Sequence, residues 1–430
     1  MREVPLKSKK KGKDERMENG KFRVLAAAPG NPNWEKLVSR KETLYHRGED
    51  IRTEFGRDYT RILHSMAYRR LKHKTQVFFN IDNDHICTRM EHVSHVESVS
   101  STIAKELGLN DELTKAISIG HDLGHAPFGH QGEVVIRGLT RKYLGKDFWH
   151  EQNGLRFVDS LELLEDTYKV NQNLNLTYAV RDGILSHCGE VDQNGIFPRD
   201  ISIGLEEFTS PGKYQAVTWE GCVVKMADKI AYVGRDIEDA LALGILNEKD
   251  REELLRMARY YDQNAMNTTV IMHNMIMDIC KNSDPENGIR LSAAFAEQLD
   301  VIKKFNYEHI YKNKRLTPYV HYSELVLKEL FAALYRAYGG EKTWKKLDER
   351  SEFAPSLFST FSEWLARYCD EAFVPEKLRE KIGKCKNEKV FGRLETRAVY
   401  AQAVIDFLSG MTDRFAISLF GELLQFGFHG

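Results

Sequence analysis

Apolar residues recur along much of the chain at helical spacing. His92, Val96, Val99, Ile103 and Leu107 follow intervals of four, three, four and four. This predicts an amphipathic helix over residues 90–107, with His92 on the core-facing stripe. Asp111 caps a second helix, on which Leu113, Ile117 and His121 are four apart. Residues 221–243 predict a third, with Val224, Ala227 and Ala231 on its buried side and Asp228 against it. Asp228, Tyr232 and Asp236 line one strip of that helix, about 12 Å long at ~1.5 Å rise per residue. Upstream, Ile62, Met66 and Leu71 with Tyr59 make one side of a strongly basic helix. Residues 75–79 are β-prone, and the polar turn N-I-D-N-D-H at 80–85 closes a small hairpin onto residues 86–88. Residues 266–279, 290–311 and 323–338 are apolar-periodic helices. From Trp344 onward helical character continues, broken near Pro355 and Pro375, and ends in a long segment from Val390. The expectation is an all-α fold with at most a small β-hairpin near residues 75–88.

Composition narrows the class. A chain of 430 residues has room for more than one domain. A net charge of -1 and a pI near 7.0 give no overall pull toward nucleic acid or membrane. Six scattered cysteines without a C-x-x-C pair suit buried thiols in a reducing compartment. There is no apolar run of the ~20 residues that span a bilayer. Nor does residue 1 open onto the apolar core of a signal peptide, so the expected location is cytoplasmic. Residues 1–23 carry nine Lys or Arg. They suit a disordered tail, with a phosphate- or nucleic-acid-attracting arm as the second reading. Residues 28–33, A-P-G-N-P-N, suit a linker. The expected division is a tail and linker at 1–33, a core at 34–245 and a helical C-terminal region at 246–430.

The candidate chemistry concentrates in His121–Glu133, H-D-L-G-H-A-P-F-G-H-Q-G-E. A His-Asp pair at a helix end offers an imidazole nitrogen beside a carboxylate oxygen, which suits a divalent metal of intermediate hardness. A lone histidine on an apolar face is more often a satisfied core residue than a ligand. Two of them, His92 and His121, with an adjacent Asp122, favour a shared metal, because buried imidazoles need partners. Asp228 is the candidate fourth ligand; its plain structural reading is an ion pair with Lys225 or Lys229. The loop after Asp122 can fold His125, His130 and Glu133 back over the same point. His130 and Glu133, three apart, can hydrogen-bond as a dyad.

Together R-D-Y-T-R-I-L-H-S-M-A-Y-R-R-L-K-H-K-T-Q-V-F, T-R-M-E-H, H-D-L-G-H-A-P-F-G-H-Q-G-E, W-H-E-Q-N-G and G-M-T-D-R-F-A resemble the bacterial deoxyguanosinetriphosphate triphosphohydrolase (dNTPase) family of HD-domain metal-dependent phosphohydrolases. The resemblance runs from about Trp34 to Phe415. It implies an all-α fold around a metal held by His92, His121, Asp122 and Asp228. It implies cleavage of a dNTP, dGTP among them, into deoxynucleoside and inorganic triphosphate. By resemblance His130 and Glu133 handle protons at the scissile bond, as acid or as base. His125 resembles a phosphate ligand, and His150 a phosphate or second-sphere contact. Arg89 and Lys229 match phosphate-binding residues, Gln76 and Asp236 contacts to the sugar 3′-hydroxyl, and Tyr232 a platform under the deoxyribose. The family forms homo-oligomers, often hexamers or tetramers, with dNTPs as activators. The basic loop at residues 309–316 is either a solvated turn or a contact to a regulatory nucleotide or neighbouring subunit. The metal is one of Mn, Mg, Fe, Ni or Zn.

Two alternatives stand beside this reading. One is an HD phosphohydrolase acting on another nucleotide, against which the K-T-Q-V-F and Y-x-x-x-D sugar contacts argue. The other is a nucleotide-sensing or single-strand nucleic-acid-binding regulator without turnover, against which the complete ligand set with His130 and Glu133 argues.

Overall fold

The computed structural model describes residues 20–44, 50–78, 83, 85–187 and 194–425. Thr53 accepts the Gly56 N–H and opens α1 (Glu54–His64). Ser65, in extended backbone, ends α1 and caps a separate short helix, Met66–Arg70. The basic helix expected here is therefore two pieces. The break turns Met66 outward, 53% exposed, while Ile62 and Leu71 stay buried.

A capping box between Thr88 and Glu91 starts α2 (Arg89–Leu107). Asn110 caps α3 (Asp111–Gly120). Then follow α4 (Gly129–Leu144), α5 (His150–Arg156), α6 (Tyr178–Ser186) and α7 (Trp219–Ala242). Helix α3 packs on α1, α2 and α6, and α2 packs on α7. Beyond α7 lie α8 (Glu248–Tyr261), α9 (Thr268–Asn282) and α10 (Ala293–Asn306), which runs on through a π turn to Tyr311. Next comes α11 (Thr317–Tyr335). Pro355 begins α12 (Pro355–Ala366), at a position where no N–H is needed. The C-terminal pair is α13 (Arg397–Ser409) and α14 (Asp413–Leu424).

Two hydrophobic clusters meet along α7. Val224, Ala227 and Ala231 join a cluster with α1, α2, α3 and the C-terminal helices α11 to α14. Val223, Ile230 and Ile237 join a second with α9 and α10. A helix buried on two sides leaves one polar strip, and that strip carries Asp228, Tyr232 and Asp236.

The fold is predominantly α, as expected, but its sheet lies elsewhere than predicted. β1 (Leu163–Glu165) pairs antiparallel with β2 (Val170–Asn173), Leu163 opposite Asn173. β2 pairs parallel with β3 (Lys384–Lys386), Val170 opposite Lys384. Of the hairpin expected near residues 75–88, the described residues contain one antiparallel bridge, Thr75 to Thr88; residues 79–82 and 84 lie outside them. Residues 20–33 are not a bare linker. Phe22 is buried against Trp219, ring centroids 4.7 Å apart, and its N–H donates to the Leu107 carbonyl at 2.9 Å. Ordered packing thus begins before Trp34, because Phe22, Ala26 and Ala27 anchor the segment; residues 1–19 lie outside the described part. Among the described residues the cysteines are free thiols, and no helix is long and apolar enough to cross a membrane.

Candidate active site

His121 caps the C-terminal end of α3. Its Nδ1 lies 2.6 Å from the Ser118 carbonyl oxygen, so Nδ1 carries the hydrogen and donates it, leaving a lone pair on Nε2. That Nε2 is buried without a hydrogen-bond partner among the described residues. It faces Asp122 Oδ1 at 3.4 Å and Asp228 Oδ1 at 3.8 Å. From α2, His92 Nε2 reaches Asp228 Oδ1 at 3.0 Å and Asp122 Oδ2 at 3.8 Å. The four residues singled out as metal ligands, from α2, the end of α3 and α7, therefore gather together, each imidazole within 3.8 Å of both carboxylates. Two imidazole nitrogens and two carboxylates with an unsatisfied lone pair form a set that can hold a divalent cation.

The same point collects a residue that sequence reasoning missed. His187 follows the end of α6 as His121 follows α3, and its Nδ1 lies 2.7 Å from the Ile184 carbonyl. The His121 and His187 rings are 4.9 Å apart. Ligand atoms of His92, His121 and Asp228, of His121, Asp122 and His187, and of Asp122, His125 and His150 each lie within 4.8 Å of one another.

The loop after Asp122 is held tightly. A Cβ on Gly124 would stand 2.0 Å from the His150 carbonyl oxygen, so only glycine lets the loop lie on the start of α5. Asn153 Nδ2 donates to the Gly124 carbonyl at 2.7 Å. Phe128 takes a left-handed backbone, φ 64, a conformation costing of order 1–3 kcal/mol for a side chain of this kind.

His125 Nε2 lies 3.0 Å from Asp122 Oδ1. His125 and His150 stack, centroids 3.8 Å apart. The hydrogen bond expected between His130 and Glu133 is not formed. Glu133 instead takes His150 Nδ1 at 3.1 Å and Arg137 Nη2 at 2.6 Å. The helix rotates Glu133 inward, where it is buried, and leaves His130 exposed at the mouth of the site. Arg89 also differs from a free phosphate ligand: its Nη1 donates to Asp122 Oδ2 at 2.8 Å.

The electrostatics follow from this packing. Burial opposes charge on Asp122, yet His125, His121 and Arg89 outweigh it and hold the carboxyl well below its usual range. Burial likewise opposes charge on Asp228, but His92 and His121 lower it. Glu133 is brought to about 2, the burial penalty being overcome by His150 and then His125. Burial, reinforced by Arg89 and His150, keeps His125 neutral. Burial, with His121 and His150, pushes His187 down to about 3. Asp236 is raised to about 7 by burial, against the hydrogen bond from Tyr311.

A cavity of about 830 Å³ opens on this cluster. Gln76, Arg89, His92, Asp122, His125, His130, His150, Asp228, Lys229, Tyr232 and Asp236 all line it, while His121 and Glu133 are buried behind its wall. It also gathers Lys225 from α7, Lys303, Lys304, Tyr307 and Tyr311 from α10 and its extension, and Arg315 from the basic loop. Gln76 Oε1, Asp236 Oδ1 and His125 Nδ1 are buried without a hydrogen-bond partner among the described residues. Each such group costs about 1–3 kcal/mol unless something binds it.

Residues 89–233 match the family model for the HD domain. The chain is 32% identical over 377 residues to a deoxyguanosinetriphosphate triphosphohydrolase-like protein of Desulfatibacillum aliphaticivorans, covering 87% of this chain and 88% of that protein. It is 35% identical over 383 residues to a protein of the same description from Clostridium tetani, with 87% and 86% covered. The chain belongs to the family of deoxyguanosinetriphosphate triphosphohydrolase-like proteins.

Proposed function

We propose that this protein hydrolyses deoxynucleoside triphosphates, dGTP among them, to deoxynucleoside and inorganic triphosphate. The observation that carries the reading is one cavity that joins a metal-type cluster, a group of cations and two buried oxygens, of Gln76 and Asp236, without a hydrogen-bond partner among the described residues. His92, His121, Asp122 and Asp228 would hold a divalent ion, whose chemistry is to neutralise charge on the α-phosphoryl group and orient water. Arg89 braces Asp122 and adds positive charge beside it. Lys225, Lys229, Lys303, Lys304 and Arg315 supply charge for the remaining phosphates, as a triphosphate requires.

Glu133 orients His150, so these two can hold or move a proton beside the cluster, while His125, kept neutral by burial, stacks on that imidazole. His130, exposed at the mouth of the cavity, is the second imidazole available for proton transfer at the scissile bond, as acid or as base. The unpaired oxygens of Gln76 and Asp236 await a donor, and a 3′-hydroxyl is one. Tyr232, between Asp228 and Asp236 on α7, lies under the sugar. A sugar ring pressed onto that aromatic face leaves a 2′-hydroxyl crowded or unpaired, which favours dNTPs over rNTPs by at least about tenfold.

A panel of dNTPs with several divalent metals, read by product chromatography, tests the reading. Deoxynucleoside with intact triphosphate supports it. Monophosphate with pyrophosphate contradicts it, and binding without turnover under any metal favours a nucleotide-sensing regulator.

A further inference from the structure

The G-M-T-D-R-F-A segment near the C-terminus contributes no side chain to the cavity wall, yet it reaches the site from behind. Asp413, the first residue of α14, is buried, and both of its carboxylate oxygens are committed. Oδ1 accepts the Phe128 N–H at 2.8 Å. Oδ2 accepts the Thr75 N–H at 3.1 Å and the Thr75 hydroxyl at 2.7 Å. Phe128 is the residue in left-handed backbone where the metal-cluster loop turns into α4. Thr75 immediately precedes Gln76. One carboxylate therefore joins the histidine loop to the sugar-facing segment across 285 and 338 residues of sequence.

Neighbouring contacts tie the same segments together. The Lys74 ammonium donates to the carbonyl of Ser409, the last residue of α13, at 3.1 Å, and to the carbonyl of His125. The Arg89 N–H donates to the Lys74 carbonyl at 2.9 Å. At Gly129, φ +57, a Cβ would lie 2.9 Å from the Gln76 carbonyl oxygen, so the two segments touch main chain to main chain.

We infer that Asp413 is a positioning residue for the active site. By pinning Phe128 and Thr75 it fixes the spacing between the His125 loop and Gln76, and so the register of a nucleotide lying between cluster and sugar contacts. This rests on the function proposed above. An Asn at 413 keeps the shape but turns an N–H₂ group toward donors, either at Thr75 or at Phe128. A carboxylate that only stabilised the C-terminal helix would change folding and leave substrate discrimination alone.

The test compares Asp413→Asn, Thr75→Val and, as a structural control, Glu422→Gln. Glu422 accepts the Ser356 and Leu357 N–H groups at the start of α12, and neither of these bonds involves the loop. Metal content, kcat and KM are measured for a dNTP and its 3′-deoxy analogue. For Asp413→Asn we expect retained metal, kcat/KM on the dNTP lowered by about tenfold or more, and a dNTP-to-3′-deoxy preference reduced at least about threefold. Thr75→Val moves the preference in the same direction, and Glu422→Gln leaves it at the wild-type value. A wild-type preference in Asp413→Asn, whether activity is full or merely lowered with the folded fraction, overturns the inference. If the wild-type protein turns over no dNTP, the proposed function fails, and hydrogen exchange of the metal-loaded protein decides the positioning claim separately. Faster exchange confined to residues 74–76 and 122–129 in Asp413→Asn supports it; unchanged or uniformly faster exchange overturns it.

Discussion

At the scale of single residues, Glu133 matters most, because its partner decides which imidazole handles the proton. Its oxygens go to Arg137 and His150. Glu133→Gln and His150→Ala are each expected to lower kcat by roughly a hundredfold or more at unchanged metal content. Their losses should not multiply in the double variant. If Glu133 and His130 fail to multiply while Glu133 and His150 do, the working pair is the one suggested by residue spacing. Among the proposed ligands, Asp228→Ala is expected to remove metal and turnover together while the helical circular dichroism persists; full metal content with full activity would take Asp228 out of the set. That His92, His121 and Asp228 lie together was legible because helical periodicity put rare polar chemistry on buried faces, and Asp122 came with His121 as its neighbour in the chain. His187 was not, since it stands alone after a helix with no motif around it. Its only advance signal was its position at a helix end, the same as that of His121. The spacing of three between His130 and Glu133 misled, because a helix turns residues three apart only roughly to the same side, and here one is buried and the other exposed.

Among the elements, α7 organises the site. Buried toward both hydrophobic clusters, it has one strip left for the cavity, and Asp228, Tyr232 and Asp236 occupy it. Trimming the middle of that strip with Tyr232→Ala should shrink the dNTP-to-rNTP preference severalfold, read as the ratio of kcat/KM for dGTP and GTP. An unchanged ratio would move sugar selection off α7. The strip could be read in advance because its period of four is a property of any α-helix. The opposite wall could not. Lys303, Tyr307 and Tyr311 come from the end of α10 and a π turn, where the regular period is lost. Tyr311 donates its hydroxyl to Asp236 across 75 residues of sequence. The sheet was equally hidden: its strands are three or four residues long, and the Asn171–Lys384 contact spans 213 residues. The stripe of Tyr59, Ile62, Met66 and Leu71 hides the break at Ser65, because a serine able to cap a helix can also interrupt one.

Over the whole molecule, the first hydrophobic cluster joins residues near the start of the described chain to α11, α13 and α14, so the C-terminal helices are part of the frame around the site. Lys74 sits in that frame, buried, with its pKa pushed down to about 7 by burial. An unfolded lysine holds its proton to about pH 10.4. Between these values the unfolded chain binds more protons than the folded one, so stability rises with pH through that window. Below about pH 7 the folded protein carries the full cost of the buried charge. Lys74→Met should flatten the rise in unfolding free energy between about pH 7 and 10, measured by denaturant titration at several pH values; an equally steep rise in the variant would assign it to other groups. The central claim is hydrolysis at the bond between the 5′ oxygen and the α-phosphorus. Turnover of dGTP by the metal-loaded protein in heavy-oxygen water, with both products analysed by mass spectrometry, tests it most directly. The account predicts unlabelled deoxyguanosine and an inorganic triphosphate carrying one heavy oxygen. Label in the deoxynucleoside, or pyrophosphate with deoxyguanosine monophosphate, would contradict it.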